Sequence, residues 1–235
     1  MLASALIVFR EVLEAALVVA VILSATQGLG GRRSWIGWGV AVGILGAVVV
    51  AALMGRISES LSGAGQPVFE AAVLLSAVAM LGWHNVWMAR HGRRMADELK
   101  RLGREVGVGR KSMAALFTAA AVAVMREGSE IALFLYGVSA SGAGKASIAV
   151  GGLLGLAAGA AAGFALYRGL MKIPVRHFFR VTGWMLLLLA AGMASQAAAF
   201  LNQADLLPAL RDRVWDTSWL LGADSLAGAV LKTLV

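Results

Sequence analysis

Two stretches decide how this chain is built: Arg10-Glu11-Val12-Leu13-Glu14 and Arg126-Glu127-Gly128-Ser129-Glu130. Each sits inside a long apolar run, and they lie 116 residues apart. A charged group at the centre of a bilayer costs about 2.5–3.5 kcal/mol on insertion scales. Such groups persist only where they face protein or water, and they mark transport or relay sites. In Arg-Glu-x-x-Glu the two glutamates are three residues apart and share a helix face. The arginine and the second glutamate are four apart and can pair.

The composition around them is that of a membrane protein. Of 235 residues, 60% are hydrophobic and 14% charged, against about 25% charged in a typical soluble domain. Six segments are long and apolar enough to span, at about 2–26, 35–54, 67–89, 112–138, 146–170 and 181–201. No basic region precedes the first, and Arg10, Glu11 and Glu14 interrupt it, so it reads as a span and not as a signal peptide. There is no cysteine, which excludes disulfides, thiolate metal sites and a cysteine nucleophile.

The net charge of +8 invites a nucleic-acid reading, which the positions of the charges remove. The connections after spans 1, 3 and 5 carry fourteen of the 21 basic residues, among them Arg32, Arg33, Arg90, Arg94, Lys100, Arg101, Lys111 and Arg168. By the positive-inside rule that face is cytoplasmic and the N-terminus outside. The basic 90–111 segment is then a topology determinant in contact with anionic lipid, with no nucleic-acid partner.

Spans 1–2 and 4–5 align at the offset of 116, which also places Gly39 and Gly43 over Gly155 and Gly159. Spans 3 and 6 align near 110, Gly82 over Gly192. Three spans per unit gives the units opposite orientation, the inverted-repeat plan of many secondary transporters. The expected fold is therefore an all-α polytopic membrane protein. It has a three-helix unit at 1–89, a basic cytoplasmic linker at 90–111, a second three-helix unit at 112–201 and an extracytoplasmic tail at 202–235. Gly151, Gly155, Gly159 and Gly163 on span 5, and Gly39, Gly43, Ala47 and Ala51 on span 2, are spaced for close helix packing.

Opposite helix directions bring Glu11 and Glu14 (about 14–18 Å deep) level with Glu127 and Glu130 (about 12–17 Å deep). Four carboxylates there form an anionic, all-oxygen site suited to a hard cation. Two guanidinium groups, Arg10 and Arg126, leave it at up to −2. Glu70, near the outer end of span 3, reads either as the first ligand an incoming cation meets or as an interfacial residue. His84 reads either as lining an exit or as a packing histidine. Glu59, Asp205, Asp212, Asp216 and Asp224 lie in outer connections, where they steer cations or solvate a loop.

The doubled motif resembles the twin Arg-Glu-Gly-x-Glu motifs of the high-affinity iron permease family, the oxidase-dependent iron transporters of fungi and bacteria. The resemblance covers nearly the whole chain and includes Phe69-Glu70 and Val214-Trp215-Asp216-Thr217-Ser218. It implies a transporter, not an enzyme, without a permanently bound cofactor, in the bacterial inner membrane. It implies uptake of Fe³⁺ oxidised outside by a partner: a multicopper oxidase in fungi, a peroxidase-type or cupredoxin-type protein in bacteria. It implies metal binding by Glu11, Glu14, Glu127 and Glu130, with Arg10 and Arg126 as charge partners. Val12 stands where the first motif usually has glycine, and the family's seventh span would begin beyond this chain. Transport of another metal such as lead, or proton-coupled transport of a different solute, are the alternatives.

Overall fold

The computed structural model of the chain describes residues 1–60, 66–169 and 175–207. Those residues form six helices: α1 (Leu2–Ala25), α2 (Arg32–Ser60), α3 (Gln66–Gly107), α4 (Met113–Ala140), α5 (Lys145–Tyr167) and α6 (Val175–Gln203). Asp212, Asp216, Asp224 and the 214–218 stretch lie outside the described residues.

Four helices contain segments long and apolar enough to cross a membrane: Arg32–Ile57, Gln66–Met88, Lys145–Tyr167 and Arg180–Gln203. The other two, α1 and α4, are as long but carry the charged triplets. Their place in the molecule explains how they keep them. Helix α1 packs along α5 and touches α3 and α4; helix α4 packs along α2 and touches α1 and α3. The charge-bearing helices are thus the inner ones. Apolar side chains cover the outward faces of α2 and α5, with Trp38, Leu45, Leu153 and Phe164 exposed as lipid-facing residues are. The chain is an all-α polytopic membrane protein.

A single stripe on α1 shows the layering. Ala3 and Ile7 join an apolar cluster with Leu74, Leu81, Phe134, Val138 and Met193. Arg10, Glu11 and Glu14 follow, also buried. Val18 and Ile22 then enter a second apolar cluster with Ile36, Val106, Leu116 and Ala120. Helix α4 passes through the same layers in reverse, Leu116 and Ala120 first and Phe134 and Val138 last. Spacings of three and four residues keep each stripe on one face. The acidic layer is therefore closed at both ends by apolar side chains.

Helix–helix contact depends on the glycines. Gly151, Gly155, Gly159 and Gly163 are the buried residues of α5. A Cβ on Gly155 would meet Phe9 N at 2.9 Å and Val8 Cβ at 3.0 Å, and would collide with Ala5 O. On α2, a Cβ on Gly43 would fall 2.7 Å from Ala121 O and 2.8 Å from Val124 Cβ. Ala5, Val8 and Phe9 correspond at the offset of 116 to Ala121, Val124 and Met125, so Gly43 plays on α2 the part of Gly155 on α5. By the same test Gly39 matches Gly151, each set against the N-terminal turn of its partner helix. This corrects the sequence alignment of Gly39 with Gly155 by one helical turn. The connection 141–144 between α4 and α5 is two residues shorter than 26–31 between α1 and α2, which supplies half of that shift.

The same register shows how Val12 is accommodated. Gly128 lies against Ala47, whereas Val12 lies against Gly159. The glycine missing from the first motif is supplied by the facing helix, so the close approach is kept.

The basic segment after the third span is largely helix. Helix α3 has 42 residues and so runs about 63 Å, twice the thickness of a hydrocarbon core. Its extension packs back on the bundle, with Val106 buried in the second apolar cluster and Gly103 against Ala25. Its end is fixed by Gly109 in the left-handed region and by Arg110 N–H donating to Glu105 O at 2.8 Å. Lys111 Nζ, 2.9 Å from Glu105 Oε2, holds that carboxyl below its ordinary pKa.

Gly155→Val should lower stability by about 1–3 kcal/mol through overpacking. Gly152→Ala, whose Cβ would meet only Val8 Cγ2 at 3.9 Å, should melt like the parent. Thermal unfolding in detergent compares them, and equal melting of all three would remove the α1–α5 seam from the account.

Candidate metal centre

The two motifs meet across the middle of the bundle. On α1, Arg10 Nε lies 3.0 Å from Glu14 Oε1, and Nη1 lies 3.7 Å from Glu11 Oε1. On α4, Arg126 Nε lies 3.0 Å from Glu130 Oε1 and 3.8 Å from Glu127 Oε1. Each arginine therefore takes the second glutamate of its motif, as the four-residue spacing requires, and leaves the first glutamate less engaged. Neither carboxylate oxygen of Glu11 has a hydrogen-bond partner among the described residues, nor does Glu127 Oε2. Glu11 and Glu127 keep only long ion pairs, the shortest to Arg10 at 3.7 Å and to Arg126 at 3.8 Å, which offset little of the hydration they lose. They are the kind of group expected where a cation is to be received.

Helix α3 supplies the piece that joins the motifs. His84 Nε2 lies 3.0 Å from Glu14 Oε2 and 4.0 Å from Glu11 Oε2. His84 Nδ1 lies 2.7 Å from Glu130 Oε2 and 3.2 Å from Arg126 Nη2. Each ring nitrogen faces a carboxylate from a different motif. An imidazole carrying two protons satisfies both by donating to each; one carrying a single proton satisfies one. Donor atoms of Glu11, His84, Glu127 and Glu130, all buried, lie within 4.8 Å of one another. That set can hold one metal ion, with three oxygen ligands and one nitrogen.

The sequence brought Glu11, Glu14, Glu127 and Glu130 to one level, and the structure places them there. Glu14 stands at the edge of the compact donor set, its oxygens turned to Arg10 and His84. His84 is central, where sequence reasoning gave it an exit or a packing role. The third span ends at Met88, near where the sequence put it, so His84 does lie toward the end of that span; what the sequence did not show is that α1 and α4 bring Glu14 and Glu130 to it. The signal was the stripe Leu74, Ala77, Leu81, whose next position is His84. Glu70 begins that stripe, accepts a hydrogen bond from Gln66 Nε2 at 3.0 Å, and stands about 21 Å along the helix from His84. It is not part of the cluster; Leu74, Ala77 and Leu81 lie between.

The two arginines differ in surroundings. The Arg10 side chain is 2% exposed, that of Arg126 37%. The Arg126 guanidinium lies over the Trp87 ring at 5.1 Å, and His91 stacks on the same ring at 5.2 Å.

Comparison with known proteins identifies the framework. The family model of the iron permease FTR1 family matches residues 1–235. The chain is 32% identical to the ferrous iron permease EfeU of Yersinia pestis, over 97% of its own length and 81% of the relative's. It is also 32% identical to the protein of the same name from Escherichia coli O6:H1, over 97% and 83%. No solved structure matches. The chain belongs to the iron permease FTR1 family.

Arg10→Gln should destabilise the protein by about 3–5 kcal/mol, because it leaves buried carboxylates without their counter-charge. Arg126→Gln should cost clearly less, its side chain being 37% exposed. Thermal unfolding of the two variants would decide; equal losses would show that burial does not set the value of these pairs.

Proposed function

We propose that this iron permease family member carries Fe³⁺ across the membrane through the buried cluster of Glu11, Glu14, Glu127, Glu130 and His84. The observation that carries the reading is the set of four buried donors within 4.8 Å, three of them carboxylates, in the interior of a membrane protein. Hard cations prefer such oxygen ligands. Four carboxylates against two guanidinium groups leave −2 before His84 is counted, which favours a multivalent cation. The ion sheds water at the outer end of α3, where Glu70 is the first carboxylate on the path. It then exchanges the rest of its shell for Glu11, Glu127, Glu130 and His84. Glu14 and the arginines hold that set in place.

Glycine contacts at two seams support an inverted repeat of units 1–89 and 112–201 joined by the basic 90–111 segment, and the count of basic residues in the connections supports an N-terminus outside. Helix α1 runs parallel to α5 and α2 parallel to α4, with matching glycine contacts at both seams. Release to the cytoplasm follows when the two units shift and the apolar layer around Ile22 and Leu116 parts. The chain itself moves iron and performs no redox step. The motif resemblance supports delivery by an extracytoplasmic oxidase, of peroxidase or cupredoxin type in bacteria.

A second reading is Fe²⁺ as the transported ion. The relatives are named for ferrous iron, a charge of −2 balances a divalent cation, and an imidazole among carboxylates suits Fe²⁺ as well.

In proteoliposomes, Glu127→Ala should abolish iron uptake while inserting and melting like the parent. Uptake supplied as Fe³⁺ should continue in the presence of a membrane-impermeant ferrous chelator. Normal uptake by the variant would sink the site, and complete block by the chelator would establish the ferrous reading in place of the ferric one.

A further inference from the structure

A cavity of about 740 Å³ opens between α1, α2 and α5, on the face that carries most of the basic residues. Its size falls in the range of about 300–1,000 Å³ usual for ligand sites. Its lining changes character with depth. Towards the middle of the membrane the walls are Val19 of α1, Val40 of α2 and Phe164 of α5. Towards the helix ends they are Ser24 and Gln27 on one side, with Arg33 and Arg168 on the others. From Val19 to Gln27 the helical rise covers about 12 Å, so the apolar floor and the cationic rim are stacked along the membrane normal.

The two arginines have charge to spare. Neither makes an ion pair with a carboxylate among the described residues, and the Arg168 guanidinium lies over the Phe164 ring at 4.8 Å. The C-terminal ends of α1 and α5 and the first turn of α2 all border the rim, so the helix dipoles oppose one another there and the charge of the rim is set by the two arginines. An anion is therefore favoured at the rim and hydrocarbon below it.

We infer that this cavity is a binding site for one anionic phospholipid, its phosphate between Arg33 and Arg168 and an acyl chain against Val40 and Phe164. A free phosphate fits the rim but gives no use to the apolar floor. A neutral lipid fits the floor but leaves both guanidinium groups without a counter-charge. Basic pockets between membrane helices on this face recognise anionic headgroups by that combination.

The position gives the lipid a consequence. Helix α1 packs closely along α5, and α2 along α4, whereas α1 and α2 touch only slightly. The cavity lies where these two close-packed pairs part. A lipid seated there joins α1 and α2 of the first unit to α5 of the second, at the end away from Glu70, and so opposes a shift of one unit against the other. That effect on transport rests on the function proposed above; binding of the lipid does not.

The test is native mass spectrometry of the detergent-purified protein titrated with phosphatidylglycerol, phosphatidylcholine or inorganic phosphate. The parent should bind one phosphatidylglycerol in preference to phosphatidylcholine. The double variant Arg33→Gln, Arg168→Gln should lose about thirtyfold in affinity, at about one tenfold step per 1.4 kcal/mol and about 1 kcal/mol per basic residue. Its melting in phosphatidylcholine should match the parent's, which separates lost binding from lost folding. Equal retention of phosphatidylglycerol by the double variant would overturn the site. So would equal binding of the neutral lipid, or displacement of the anionic lipid by inorganic phosphate at matched concentration.

Discussion

A carboxylate cannot be held in the middle of a bilayer unless something nearby offsets its charge, and the rest of this structure follows from that requirement. Two arginines, each one helical turn before the glutamate it pairs with, do so within α1 and α4. A histidine from α3 ties the two sets together. The charge-bearing helices must then be central, so others must surround them. The surrounding helices must approach closely, which is why α5 presents glycine at every fourth position along its buried face. Apolar layers complete the enclosure at either end.

Much of this was legible in the sequence, and what was not has physical reasons. Charged residues are so rare in apolar runs that two matching triplets pointed to one buried carboxylate cluster, and the structure brings both triplets together. Pairing of each arginine with the glutamate four residues on was fixed by helical geometry alone. The depth of His84 was not legible, because a polar residue at the end of an apolar run looks interfacial. Only its contacts with Glu14 of α1 and Glu130 of α4 show that it faces the interior. The register between α2 and α5 was hidden for another reason. A glycine series repeating every four residues aligns equally well one turn away, and only the neighbours of each glycine choose. Those neighbours also show that Val12 is offset by Gly159, an exchange across two helices that no single motif can display.

The two halves are alike in plan and unequal in detail. The position on α6 that corresponds to His84 at the offset of 110 is Ala194. Helix α3 reaches both motif helices, while α6 packs mainly on α3. Arg10 is sealed, and Arg126 leans on Trp87 towards the surface. The carboxylate cluster therefore has different surroundings on its α1 and α4 sides.

The apolar layers above and below the acidic cluster also act as electrical insulation. Were water to stop at Phe134 and Met193 on one side and at Ile22 and Leu116 on the other, the transmembrane potential would fall across those layers. On the function proposed above, a cation at the cluster would then have crossed part of a field worth about 2.3 kcal/mol per unit charge for each 100 mV, and the greater its charge the more it would gain.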